Sequence, residues 1–137
     1  MQNNLLISGY AAVFGVIDAH NDILLPRFLE TWSLSSSNYS EIPVLWNHKG
    51  YSVGKSIEIS ADTQGIKIKA LLTPAPWQID LISLGVVNGL SIGYKPIDYV
   101  HDQVNNIRYL KKIDVREISL VHDPANRFAR ITAIQYF

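Results

Sequence analysis

Apolar and polar residues alternate with a period of two along much of this chain, a pattern typical of β-strands. The alternation is clearest at residues 66–72, where Lys67 and Lys69 stand between apolar neighbours. A polar stretch at residues 61–65 connects this segment to another apolar pattern at residues 52–60. The two segments therefore predict a β-hairpin.

Further strands are predicted where apolar runs end at glycine, proline or polar turns. They cover residues 5–14, 42–46, 90–100, 107–115, 116–121 and 129–137. A short helix is predicted at residues 26–32, and a longer one at residues 77–87, where apolar residues recur at helical spacing. A serine-rich loop is predicted at residues 33–40. The pattern favours a mainly β domain of the α+β class, a curved antiparallel sheet or barrel of about seven strands flanked by helices.

The composition narrows the class of protein. The chain has 137 residues, which favours one domain covering residues 1–137. Hydrophobic residues make up 47% and charged residues 18%, which argues against a disordered chain. Twelve basic and twelve acidic side chains give zero formal net charge, so the basic excess typical of nucleic-acid-binding proteins is missing. The sequence has no cysteine, which excludes disulfides, thiolate metal sites and a cysteine nucleophile.

No segment is predicted to target or span a membrane. The longest uncharged apolar stretch, residues 81–94, is shorter than the roughly 18 residues of a spanning helix, and glycines interrupt it. Residues 1–4 lack the basic start of a signal peptide. We therefore expect a soluble protein that has no membrane partner.

Ser91 is the first candidate for chemistry, because it lies in the sequence Gly89-Leu90-Ser91-Ile92-Gly93. This sequence matches the G-x-S-x-G motif of α/β-hydrolases, in which a strand precedes the serine and a helix follows it. Here the predicted helix precedes Ser91 and a strand follows it, and the chain is too short for that fold. The α/β-hydrolase fold is therefore excluded. Two others stay open: a nucleophile between glycines that leave room for a substrate, and a small residue at a helix-to-strand corner.

A nucleophilic serine needs a base, and the chain has four histidines. His20 and His101 lie in polar turns and are most simply solvent-exposed. His48 follows the apolar run at residues 42–46, a position from which a rigid strand can present an imidazole to a cleft. His122, at the end of another apolar run, is the competing candidate.

Glu117 is the candidate for the group that would orient the histidine. It lies in an apolar segment predicted as a central strand, where an unpaired carboxylate is costly. A hydrogen bond to His48 would satisfy this carboxylate. Alternatively, Glu117 lies on the solvated face and pairs with a cross-strand Lys111 or Lys112.

Asp18, His20 and Asp22 have the spacing of a possible metal cluster. Polar residues of one turn are the simpler explanation of this spacing. No metal site is therefore predicted.

Four segments occur in an order that points to a known family. They have the sequences GYAAVFG at residues 9–15, PVLWNH at 43–48, GLSIGY at 89–94, and REISLV followed by PAN within 116–126. Together they resemble the prohead (capsid maturation) proteases of tailed phages, and the resemblance spans nearly the whole chain. Because that family is similar in fold to the herpesvirus assemblins, the resemblance implies a herpesvirus-protease-like fold.

The resemblance implies a serine endopeptidase with three catalytic residues. Ser91 matches the nucleophile and His48 the general base. Glu117 stands in the third position, where the herpesvirus relatives have a histidine. Arg127 lies near the place where the relatives have oxyanion-hole arginines. The resemblance implies neither a metal nor another cofactor.

The resemblance also implies partners and a location. The expected substrates are scaffold protein or the major capsid protein, cleaved inside an immature procapsid in the host cytoplasm. A homodimer or higher homo-oligomer is expected, without nucleic acid or membrane as a partner. One alternative is a catalytically inactive capsid-assembly or scaffold component that keeps the protease fold. Another is a small β-barrel binding module in which the three residues coincide by chance.

Overall fold

The computed structural model describes residues 4–26 and 42–137. The predicted helix at residues 26–32, apart from Pro26 in a turn, and the predicted loop at residues 33–40 lie outside these ranges. The described elements are β1 (Leu5–Val13), β2 (Asp22–Leu24), β3 (Pro43–Trp46), β4 (Lys49–Ala61), β5 (Gly65–Leu72), α1 (Pro76–Ser83), β6 (Gly89–Asp102), β7 (Ile107–Val121) and β8 (Ile131–Tyr136).

The eight strands form one open, mixed sheet in the order β2–β7–β3–β4–β5–β1–β8, with β6 also paired to β7. Strand β6 runs antiparallel along the whole of β7, whereas β2 and β3 pair with its two ends in parallel. The mainly β prediction is confirmed. The parallel pairs differ from the expected antiparallel arrangement, because hydrophobic alternation specifies the face of a strand and not its partner.

The predicted hairpin is present as β4 and β5. Strand β5 lies between β4 and β1, so both of its edges are paired. Ile66, Ile68, Ala70 and Leu72 are buried, whereas the alternating Lys67, Lys69 and Leu71 are exposed. The largest fully buried apolar side chains are Leu5, Ile7, Val44, Ile66, Leu72, Leu90, Leu110, Ile113, Ile118 and Leu120. The burial of each side chain contributes about 1.5–3 kcal/mol to folding. Half of them lie on β6 and β7, the strands that also carry Ser91 and Glu117.

Strand β7 is continuous, although the sequence predicts two strands that meet at Arg116. Adjacent charges at Arg116 and Glu117 break the apolar pattern there. The pairing with β6 shifts here, because Glu117 stands opposite Gly93 and Val115 opposite Tyr94, so Arg116 is the extra residue of a β-bulge. The Arg116 Nε lies 2.7 Å from Asp114 Oδ2 on the exposed side.

Helix α1 ends earlier than the predicted residue 87. Leu84 is the C-terminal cap of the helix, and Gly85 follows it with a left-handed φ of 76°. Glycine adopts this conformation without a steric cost, which makes it the common residue directly after a helix. The buried side chains of α1 are Gln78 and Ile82, whereas Trp77, the first apolar residue of the predicted helix, is 57% exposed. Within the described ranges, no helix has the length and hydrophobicity to cross a membrane.

Candidate active site

Ser91 and Glu117 lie on the same face of the sheet. Ser91 on β6 stands opposite Ser119 on β7, and Gly93 stands opposite Glu117. Directly opposed residues of antiparallel strands share a face, as do residues two apart on one strand. The β6–β7 register therefore brings the candidate nucleophile and the candidate acid together. Ser91 lies within the strand, 6% exposed, and not at a corner before it.

His48 reaches this face from the other edge of β7. Strand β3 runs parallel to β7 and ends at Trp46, and the Asn47 N–H donates to the carbonyl of Leu120 at 2.9 Å. Asn47 and His48 then adopt left-handed φ angles of 55° and 61°. Such angles are costly for residues other than glycine and occur often at functional sites. This turn points the imidazole back over β7.

The His48 ring contacts the Glu117 carboxylate, with Nδ1 and Oε1 2.6 Å apart. The Glu117 side chain is 19% exposed and that of His48 is 41% exposed. When the carboxylate accepts the Nδ1 proton, Nε2 of the neutral ring is left as a proton acceptor. Lys111 and Lys112 lie on the same strand as Glu117, so the alternative cross-strand pairing was wrong.

The Ser119 hydroxyl connects the Glu117 carboxylate to the backbone of His48. Its hydroxyl donates to Glu117 Oε2 at 3.0 Å and accepts the backbone N–H of His48 at 2.9 Å. Among the described residues, the hydrogen bonds of His48 run to Glu117 and Ser119 and not to Ser91. The structure therefore places Ser91 on the same sheet face as a formed histidine–carboxylate pair. The catalytic roles of these residues stay a prediction.

A cleft of about 390 Å³ opens beside His48. Its walls include Ile92, Gly93 and Tyr94, the three residues of β6 that follow Ser91, and Asp22 and Arg108 from β2 and β7. The volume lies within the range of peptide or small-molecule sites. A substrate in this cleft would lie against both the imidazole and the strand that carries Ser91.

An ion pair between a buried carboxylate and a partly exposed guanidinium forms one wall of this cleft. Asp22 is 1% exposed, and Arg108 donates to its carboxylate through Nε at 2.6 Å and Nη2 at 2.8 Å. This contact raises the pKa of Arg108 above its usual value. The Tyr94 hydroxyl donates to the same carboxylate, and to Asp18 at 3.3 Å. Burial, reinforced by these carboxylates, raises the pKa of Tyr94 well above its usual range.

Arg127 lies in the turn between β7 and β8. Its guanidinium lies over the ring of Phe128, with 4.9 Å from Cζ to the ring centroid. The same turn contacts β6, because the Leu90 N–H donates to the carbonyl of Ala129 at 2.9 Å, one residue before Ser91. The turn is therefore next to the candidate nucleophile, and the role of Arg127 in the oxyanion site stays a prediction.

The remaining histidines occupy different surroundings. His101 contacts Asn106 at 3.1 Å in the β6–β7 turn, and His122 is exposed beyond the end of β7. His20 was expected to be a solvated turn residue, and it does lie in a turn, but it also lines the cleft beside His48. No group of acidic or histidine side chains in residues 4–26 and 42–137 has the arrangement of a metal site.

Sequence reasoning missed Ser119, Tyr94 and the pair of Asp22 with Arg108. For Ser119, the available signal was a hydroxyl inside the apolar run at residues 118–121, two positions after the candidate acid. For Asp22, it was a carboxylate at the start of a short apolar strand. Neither signal identifies the residue that the side chain contacts. Asp22 and Arg108, for example, are 86 residues apart in the sequence.

The comparison with known families decides the identity of the chain. The model of the caudovirus prohead serine proteases matches residues 1–136. The chain belongs to this family. The prohead protease of Enterobacteria phage HK97 is 30% identical, in an alignment that covers 95% of this chain and 60% of that protein. The prohead protease of Escherichia phage T5 is 28% identical and covers 70% of this chain and 49% of its own length. The chain thus spans only part of the length of these prohead proteases.

Solved structures agree with this family in fold. The bacteriophage T4 capsid assembly protease superposes with a TM-score of 0.67 at 11% identity, covering 85% of this chain and 80% of that one. The KSHV protease in complex with a hexapeptide phosphonate inhibitor superposes with a TM-score of 0.60 at 13% identity, covering 98% of this chain and 66% of that one. The varicella-zoster virus protease superposes with a TM-score of 0.58 at 14% identity, covering 97% of this chain and 64% of that one. The expected herpesvirus-protease-like fold is therefore confirmed for this prohead protease family member.

Proposed function

We propose that this protein is a serine endopeptidase of capsid maturation, with Ser91 as nucleophile, His48 as general base and Glu117 as the third member. The observation that carries the proposal is the 2.6 Å contact between His48 Nδ1 and Glu117 Oε1, on the sheet face that also holds Ser91. Membership of the prohead protease family supports the same reaction class.

The reaction follows from this arrangement. Nε2 of His48 accepts the hydroxyl proton while Ser91 Oγ forms a bond to the peptide carbonyl carbon. The carbonyl oxygen takes up the displaced electron pair, and Glu117 stabilises the imidazolium. The tetrahedral intermediate then expels the amine, which takes the proton from His48, and an acyl-enzyme is left. Water, deprotonated by His48, hydrolyses this ester and restores the Ser91 hydroxyl.

The oxyanion site is proposed to involve the turn that contains Arg127. The turn contacts β6 through the hydrogen bond of Leu90 with Ala129, next to Ser91. A backbone N–H oriented there, with Arg127 close by, would stabilise the oxyanion by about 3 kcal/mol per donor.

The proposed substrates are scaffold protein and the major capsid protein, cleaved inside the immature procapsid in the host cell. The relatives are prohead proteases of phages, and the T4 neighbour is a capsid assembly protease. An extended peptide segment would lie in the cleft beside His48 and Gly93. Cleavage there would make maturation irreversible.

Self-association is also proposed, through the apolar surface around α1. Trp77 is 57% exposed, Leu84 77% and Val86 53%. Three exposed large apolar side chains within residues 77–86 favour a protein partner here. Analytical ultracentrifugation of wild type and Leu84→Glu tests this: the variant should sediment as a smaller species, and equal sedimentation would exclude this surface.

A non-catalytic capsid component with the same fold is the second candidate. It is favoured by one observation, that His48 is hydrogen-bonded to Glu117 and Ser119 and not to Ser91. Catalytic hydrogen bonds are often absent before substrate binds, so the endopeptidase is preferred.

Co-expression with a capsid precursor separates the two candidates. Intact mass spectrometry should show cleaved precursor with the wild-type protein and uncleaved precursor with Ser91→Ala. Ser56→Ala is the matched control, because Ser56 is also a buried strand serine, and its Oγ accepts the Ile42 N–H at 2.9 Å outside the site. Cleavage by Ser91→Ala at the wild-type rate would exclude Ser91 as the nucleophile.

A further inference from the structure

We propose that Ser119 is a positioning residue of the active site, which locks the His48 turn and the Glu117 carboxylate into one arrangement. This inference rests on the proposed function, because it assigns Ser119 to the orientation of the proposed base. It is carried by a single hydroxyl that contacts both partners of the histidine–carboxylate pair.

The hydrogen bonds of Ser119 have a defined direction. A hydroxyl offers one donor and two acceptor positions. An ionised carboxylate only accepts, so the Ser119 proton goes to Glu117 Oε2, 3.0 Å away. The same oxygen accepts the His48 N–H at 2.9 Å. Ser119 therefore connects the backbone of His48 to the carboxylate that holds the ring of the same residue.

This connection holds two groups that would otherwise move. Glu117 Oε1 contacts the imidazole, and a partner on Oε2 fixes the rotation of the carboxylate plane. The φ of His48 is 61°, a left-handed value that persists only when the surroundings maintain it. Ser119 is 0% exposed, so water does not replace either hydrogen bond.

The strand register explains why Ser119 has this position. It pairs with Leu45 of β3 on one edge of β7 and with Ser91 of β6 on the other. Ser119 is thus the residue of β7 at which the base-bearing strand and the nucleophile-bearing strand meet. An alanine there would leave the fold intact and free both Oε2 of Glu117 and the N–H of His48.

Kinetics of Ser119→Ala give the first test. Loss of one charge-assisted hydrogen bond corresponds to about a tenfold fall in kcat, with KM nearly unchanged. In a Glu117→Gln background the same substitution should lower kcat by only about threefold or less, because the carboxylate that it orients is gone. An equal factor in both backgrounds would show that Ser119 has only a structural role. Ser56→Ala, a buried serine that accepts a backbone N–H elsewhere, should leave kcat unchanged.

An NMR measurement tests the inference without relying on activity. The His48 Nδ1 proton should give a slowly exchanging imidazole resonance in the wild type and in Ser56→Ala, and Ser119→Ala should broaden or lose it. An unchanged resonance in Ser119→Ala would overturn the positioning role even if the protein cleaves peptides. If the resonance is lost while wild type and Ser91→Ala are equally inactive, the proposed function fails and the positioning role stands.

Discussion

Gly93 and Glu117 face each other across β6 and β7 so closely that a side chain at position 93 has no room. A Cβ placed on Gly93 would lie 2.5 Å from Glu117 Cγ and 2.7 Å from Oε1. The carboxylate is fixed by His48 and Ser119, so it cannot withdraw without breaking those bonds. The absence of a side chain at Gly93 is therefore part of what forms the site.

Gly93→Ala should displace Glu117 and lower kcat by about 100-fold, the effect of a misplacement of about 1 Å. Stability should fall as well, measured as the free energy of unfolding in urea. In a Glu117→Ala background the new methyl group has space, so Gly93→Ala should then leave stability nearly unchanged. A full stability loss in that background would mean that the clash is not with Glu117.

Glu117→Gln should lower kcat by about 10²–10⁴-fold, less than Ser91→Ala, which removes the nucleophile. An amide can donate to Nδ1 and favour the wrong tautomer of His48, whereas the carboxylate only accepts. Steady-state rates on a peptide that spans a mapped cleavage site measure this effect. Equal rates for wild type and variant would remove Glu117 from the catalytic residues.

Asp22→Asn should destabilise the fold by about 1–3 kcal/mol, because it weakens two charge-assisted hydrogen bonds from Arg108, whose side chain is 36% exposed and stays partly hydrated. The matched control is Asp114→Asn, which breaks the exposed pair with Arg116 and should cost less than about 1 kcal/mol. Urea unfolding of both variants measures the difference. Similar losses for the two would show that the pair of Asp22 with Arg108 is not a major support of the cleft.

Tyr94 should contribute to the alkaline loss of stability. Its pKa is raised by burial and by hydrogen bonding to Asp22, so the folded state keeps the proton above pH 10.0, where an unfolded tyrosine loses it. Below that pH the contribution of Tyr94 is complete. As pH rises above it, the unfolded state binds fewer protons than the folded state, and the free energy of unfolding falls by at most about 1.4 kcal/mol per pH unit.

Tyr94→Phe lacks this contribution, so its stability should fall less steeply between pH 10 and 11 than that of the wild type. Unfolding curves at a series of pH values measure the slope. Tyr51→Phe is the control, because Tyr51 is 91% exposed and should leave the slope unchanged. Parallel slopes for wild type and Tyr94→Phe would contradict a proton held by the fold at this position.

The sequence predicts local features of this fold well. The alternation at residues 66–72 gives the hairpin strand, and the apolar run before His48 gives the strand that presents it. The hypothesis that Glu117 meets His48 followed from the cost of an unpaired carboxylate, and the structure brings the two together.

Features that depend on distant pairing were not predicted. The parallel contacts of β2 and β3 with β7, and the ion pair of Asp22 with Arg108, join segments that local periodicity does not relate. Helix α1 ends at Ser83, two residues before the left-handed Gly85, although apolar residues continue at helical spacing up to residue 87. Ser119 was missed because a hydroxyl in an apolar strand reveals its role only when both neighbouring strands are in place.

The most direct test of the account is to locate a covalent adduct. The wild-type protein, co-expressed with its capsid precursor, is treated with a peptide phosphonate, digested and analysed by mass spectrometry. We predict one adduct, on Ser91, which is absent in His48→Ala and present in Ser56→Ala. An adduct on another residue, or no adduct while the precursor is being cleaved, would contradict the assignment of Ser91 as the nucleophile.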